Sequence, residues 1–119
     1  CDEIGLIKNE VYLQIKNGSI QKISCEEKEI EAKLYSLLFS NNEKRRILAE
    51  LGIGLNPLAK LTGIMLTDEG TMGTIHFGFG SNITVGGLND VDFHLDFVLF
   101  DPTIKVDSFL LMKEGELTI

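Results

Sequence analysis

Residues 93–100 read Phe93-His94-Leu95-Asp96-Phe97-Val98-Leu99-Phe100. Within the longer stretch from Val91 to Phe100, this composition predicts a β-strand. Residues two apart in a strand point to one face, so His94 and Asp96 present an imidazole and a carboxylate side by side. Phe93, Leu95 and Phe97 then form a core-like opposite face. A charged Asp96 inside so apolar a strand is costly unless it is paired or ligates a cation, and one cation satisfies both side chains at once.

Working outward, Thr74 to Phe79 alternates as another strand, followed by a Gly/Asn-rich loop from Ser81 to Asp90. Further upstream, Arg46 to Leu55 (RILAELGIGL) reads as a strand in which Gly52 and Gly54 permit close backbone approach, and Asn56-Pro57 ends it. At the start of the chain, Ile4 to Ile15 alternates with Val11, Leu13 and Ile15 on one side. Asn17-Gly18 then gives a hairpin turn, and Ile20 and Ile23 lie on the return strand. From Cys25 the period changes: Ile30, Leu34, Leu37 and Leu38 recur at helical spacing, Ser24 and Glu27 form a candidate capping box, and Asn41-Asn42 ends the helix. Leu58 to Leu66 is compatible with a second, short helix. After Asp101-Pro102, short strands are expected at Thr103 to Val106, Leu110 to Met112 and Leu117 to Ile119. The sum is an α+β chain, mostly an antiparallel β domain with one or two helices. No repeat or linker divides it, so one domain over residues 1–119 is expected.

At 119 residues and 44% apolar, the chain can build a real core. Its net charge of -7, from 11 basic and 18 acidic residues, repels phosphate backbones and argues against nucleic acid as a partner. No apolar run approaches the roughly 20 residues of a membrane span, and no signal peptide is seen, so neither a membrane nor export is expected. Cys1 and Cys25 form no CxxC pair, which fits a reducing cytoplasm. Asn82-Ile83-Thr84 matches a glycosylation acceptor, read as coincidence without a secretion signal. The chain opens on Cys1, and Asp2, Glu3 and Ile4 run straight into a strand, so an excerpt of a longer gene product is expected.

The chemistry-bearing residues are few. His76 and His94 are the only histidines. A strand histidine is most often a satisfied core residue. His76, however, lies in GTIHFGFG, whose glycines admit a ligand or a tightly packed backbone. Glu50, in AELGIGLNP, needs a partner unless it occupies the strand's solvent face. Together Glu50, His76, His94 and Asp96 make a mixed nitrogen/oxygen set that suits zinc, cobalt, manganese or iron. Gly78-Phe79-Gly80 lacks the third glycine of a dinucleotide fingerprint, Ile83 standing there, and GxSxG, HExxH and phosphate-loop patterns are absent.

In order along the chain, ELGIGLNP, LTDEGTMGTIHFGFGSN, a Gly-Gly pair, HLDF and a terminal EGEL resemble the C-terminal part of leucyl (thermophilic, M29-type) aminopeptidases. The VYLQIKNGSIQKI hairpin and the helix after it look similar too. The resemblance implies a metal-dependent hydrolase that removes N-terminal residues from peptides, of which this chain is the C-terminal active-site portion. It further implies a homodimer with two divalent ions, zinc or cobalt, held in part by Glu50, His76, His94 and Asp96, with Glu69 of the Asp68-Glu69 pair as general base. In that mechanism the ions activate water and polarise the peptide carbonyl. The chain departs from the family at two points. No Gly-Glu-Val segment supplies the first metal-ligand glutamate, since Glu10-Val11 lacks the glycine. Ser81, Asn82 and Ile83 also stand where a tyrosine is expected.

Two other readings are compatible with the same residues. His76, His94 and Asp96 could form the two-histidine, one-carboxylate triad of a non-haem iron(II) oxygenase, and ring-cleaving dihydroxypyridine dioxygenases resemble the M29 family at this end. The chain could also be a metal-free structural domain.

Overall fold

The computed structural model describes residues 4–40, 42–60, 62 and 69–119. Its first element pair is the hairpin. Strand β1 (Val11–Lys16) runs antiparallel to β2 (Ser19–Cys25), with Lys16 opposite Ser19. Asn17 and Gly18 form the turn at φ 53 and 75, the pair of positive values that a type I′ turn requires. The strand starts at Val11, not Ile4, because Cys25, the last residue of β2, pairs with Val11 and leaves nothing beyond it to pair with.

Helix α1 (Lys28–Phe39) packs on β2 and buries Ile30, Leu34 and Leu38, the stripe that the spacing predicted. Fully burying a leucine of this kind stabilises by about 1.5–3 kcal/mol. The Ser24–Glu27 capping box does not form. Ser24 is still in β2, opposite Tyr12, so the helix starts later, with Glu27 at its N-cap and no side-chain cap. Glu31 reaches back instead: its carboxylate accepts from the Cys25 N–H at 2.9 Å and pairs with Lys28 at 3.2 Å. The Cys25 hydrogen bond first, then Lys28, lowers the Glu31 pKa against a smaller opposing effect of burial. At the other end the helix stops at Phe39, before Asn42, and the Arg45 guanidinium donates to the Leu37 carbonyl at 3.2 Å.

Asn42 then caps a 3-10 turn (Glu43–Arg46) by accepting from the Lys44 N–H at 3.0 Å. This turn takes up Arg46, so β3 (Leu48–Ile53) is shorter than the strand expected from Arg46 to Leu55. Strand β4 (Thr74–Gly80) and β5 (His94–Phe100) complete a three-stranded sheet in the order β3-β4-β5. The Gly80 N–H donates to Ile47 while the Gly54 N–H donates to Thr74, so β3 and β4 run in opposite directions. A third sheet, β6 (Ile104–Val106), β7 (Phe109–Lys113) and β8 (Glu116–Leu117), is antiparallel throughout. Residues 58–60 and 62 are not helical; the rest of the possible second helix lies outside the described residues. Among the described residues, antiparallel sheets with one α-helix are the α+β class expected.

The chain divides into two compact units, Cys1–Glu50 with Gly78–Asp96, and Leu51–Phe77 with Phe97–Ile119. In the first, Ile20, Cys25, Ile30, Leu34, Leu38, Phe79 and Leu95 are buried. In the second, Thr71, Thr74, Ile75, His76 and Met112 are buried. Among the described residues, no helix is long and apolar enough to cross a membrane.

Candidate metal centre

The Phe93 N–H bonds back to the Val91 carbonyl at 2.8 Å, a turn that delays β5 until His94. From there the expected alternation holds. Leu95 is buried, while His94 and Asp96 share the other face, with Nε2 of His94 2.9 Å from Oδ1 of Asp96. Glu50, in β3, brings Oε2 to 3.8 Å from the same nitrogen. Ligand atoms of Glu50, His94 and Asp96 all lie within 4.8 Å of one another, close enough to share one ion.

The ring is fixed by its other nitrogen. Nδ1 of His94 lies 2.8 Å from the Ser81 carbonyl. A carbonyl only accepts, so Nδ1 carries a proton and donates it. In the neutral ring Nε2 is then a lone pair facing two carboxylates. Only a proton or a cation between them makes that arrangement favourable. In the protein on its own the surroundings favour the proton. Partial burial lowers the His94 pKa, but the Ser81 hydrogen bond, the charge and hydrogen bond of Asp96 and the charge of Glu50 outweigh it, and the net shift is upward. A metal-bound histidine has the same pattern, with its second nitrogen donating to a backbone carbonyl.

Gly78, in β4, makes the room. A Cβ there would stand 2.8 Å from Oδ1 of Asp96 and 2.9 Å from Cε1 of His94. The side chains of Asp96, Glu50 and His94 are 21%, 30% and 37% exposed, so the cluster is partly sheltered yet open to a ligand.

The other expected site residues lie elsewhere. His76 is buried in the second unit, its ring over Gly52, where a Cβ would fall 2.0 Å from Cε1. It is not in the ligand group. The glycine that makes room for His76 is therefore Gly52, whereas the glycine context noted around His76 serves His94 and Asp96 through Gly78. Glu69 sits in a turn of the second unit, its carbonyl 3.4 Å from the Thr74 hydroxyl, and is likewise outside the group. Asp68 lies outside the described residues. The sequence marked Ser81 only as the start of a loop and as standing where a tyrosine is expected; the role of its carbonyl went unseen, because a backbone carbonyl leaves no mark in residue identity.

An α+β chain that gathers one imidazole and two carboxylates is of the class that can hold a divalent cation. The chain belongs to the NicX family, described as 2,5-dihydroxypyridine 5,6-dioxygenase, whose model matches residues 4–119. Among solved structures it is similar to the 2,5-dihydroxypyridine dioxygenase from Pseudomonas putida KT2440, with a TM-score of 0.73 at 23% identity. That likeness covers 98% of this chain and 36% of the other, so the chain spans about a third of the length of its structural relative. No curated protein matches the chain.

These findings correct the aminopeptidase reading. The matching family is described as a dioxygenase of a small aromatic molecule, not as an M29-type hydrolase of peptides. The residues behind the misreading are real donors in real strands. ELGIG and HLDF describe a sheet that presents a carboxylate and an imidazole, and such a sheet serves either chemistry.

Proposed function

We propose that this chain is the metal-holding part of a ring-cleaving dioxygenase acting on a dihydroxylated pyridine, with Glu50, His94 and Asp96 ligating one iron(II). The observation that carries it is the convergence of three acceptor atoms within 4.8 Å around a histidine whose tautomer is already set for a metal. Oxygen and imidazole donors without thiolate suit iron(II). Two carboxylates balance the charge of one dication. Of the iron triad considered from the sequence, His94 and Asp96 keep their places, and Glu50 takes the one given to His76.

Bound iron(II) would supply the one-electron chemistry that lets dioxygen react with an aromatic ring. The chain's own residues do the rest. The Ser81 carbonyl holds the His94 ring in one orientation, Gly78 leaves space beside the donors, and the partial exposure of all three leaves an approach for a flat substrate. The test is anaerobic loading of the intact protein with iron(II), then addition of oxygen and 2,5-dihydroxypyridine. Equal consumption of ring and oxygen is expected. A fully loaded protein that leaves the ring untouched would sink the proposal.

A further inference from the structure

We infer that Asn82 is a positioning residue that ties two of the three candidate ligands together. Its side chain bridges both sides of the cluster. Nδ2 donates to the carbonyl of Ala49, the residue before Glu50, at 3.3 Å. Oδ1 accepts from the Asn89 N–H at 2.9 Å. The adjoining residue, Ser81, offers the carbonyl that orients His94. One amide thus links the backbone of the Glu50 strand to the loop that sets the histidine. Asn89 completes the clasp, its own amide donating to the carbonyls of Gly80 at 2.6 Å and Lys44 at 2.9 Å.

The loop is built around this side chain. At Gly87 a Cβ would lie 2.0 Å from Cγ of Asn82. Gly86, by contrast, has open space around it and is glycine for its φ of 90. Gly87 serves the Asn82 amide and Gly86 the turn, which separates a positioning effect from simple loop strain. Partners of this kind, one step removed from the ion, typically change metal affinity by about 10–100-fold.

The inference depends on the proposed metal site for its affinity readout alone; the state of the His94 ring is read separately. The experiment compares wild type, Asn82→Asp, Gly87→Ala and Gly86→Ala. Asn82→Asp keeps the size and the Asn89 bond but turns a second acceptor towards the Ala49 carbonyl. Manganese(II) binding is followed by electron paramagnetic resonance. The nitrogen shifts of His94 are followed by NMR in metal-free protein at a pH where the ring is neutral. The expected result is a loss of manganese affinity of about 10–100-fold in Asn82→Asp and Gly87→Ala, with loss of the Nδ1–H pattern, and neither change in Gly86→Ala. Wild-type ring signals in Asn82→Asp would overturn the inference. If wild type binds no manganese yet only the Asn82 and Gly87 variants lose the Nδ1–H pattern, the clasp stands and the metal reading falls.

Discussion

His94 carries two opposed demands, a proton when the site holds no cation and a bare Nε2 when it does. Its pKa in the folded protein is raised above 6.5, so its contribution to stability is fully present below pH 6.5 and is lost as pH rises through the folded value. The metal-free protein should therefore show a melting temperature that falls across this window, and His94→Ala should remove that part of the slope. Metal affinity should run the other way, rising with pH as the competing proton leaves; isothermal titration at several pH values checks it. Gly78→Ala should weaken metal binding by at least about tenfold, since outer contacts alone reach that size and here the added carbon presses on two ligands directly. The pairing of His94 with Asp96 was legible because strand alternation is a local rule. Glu50 was singled out as well, but that it lies beside this pair while His76 does not was not legible, because it depends on which strand residues lie opposite one another.

At the scale of elements, the hairpin and helix were legible and their ends were not. Asn17-Gly18 determines its own turn, and Gly18→Ala should cost about 1 kcal/mol by denaturant melts because φ is 75. Leu34, fully buried on α1, should cost about 2–5 kcal/mol as alanine. Ser24→Ala should fall within about 0.5 kcal/mol of wild type, not the roughly 1 kcal/mol of a lost cap, since β2 holds Ser24 in the ladder. Pairing in the hairpin decides where α1 begins, and that pairing cannot be read from the helix's own residues. The 3-10 turn before β3 escaped notice for a similar reason. Its signal is the Asn42 side chain, which also reads as a plain helix stop.

For the molecule as a whole, the apolar pattern defined the class of fold, while the chemistry was not decided by it. Segments that place a glutamate, a histidine and an aspartate on adjoining strands serve a hydrolase and an oxygenase equally well, and the family match separates them. The most direct test of the central claim is anaerobic iron(II) stoichiometry and affinity of the intact protein, measured beside Glu50→Gln, His94→Ala and Asp96→Asn. The account predicts one ion per chain in the wild type, with affinity reduced about tenfold or more in each variant. Two ions per chain, or wild-type affinity in Glu50→Gln, would contradict it.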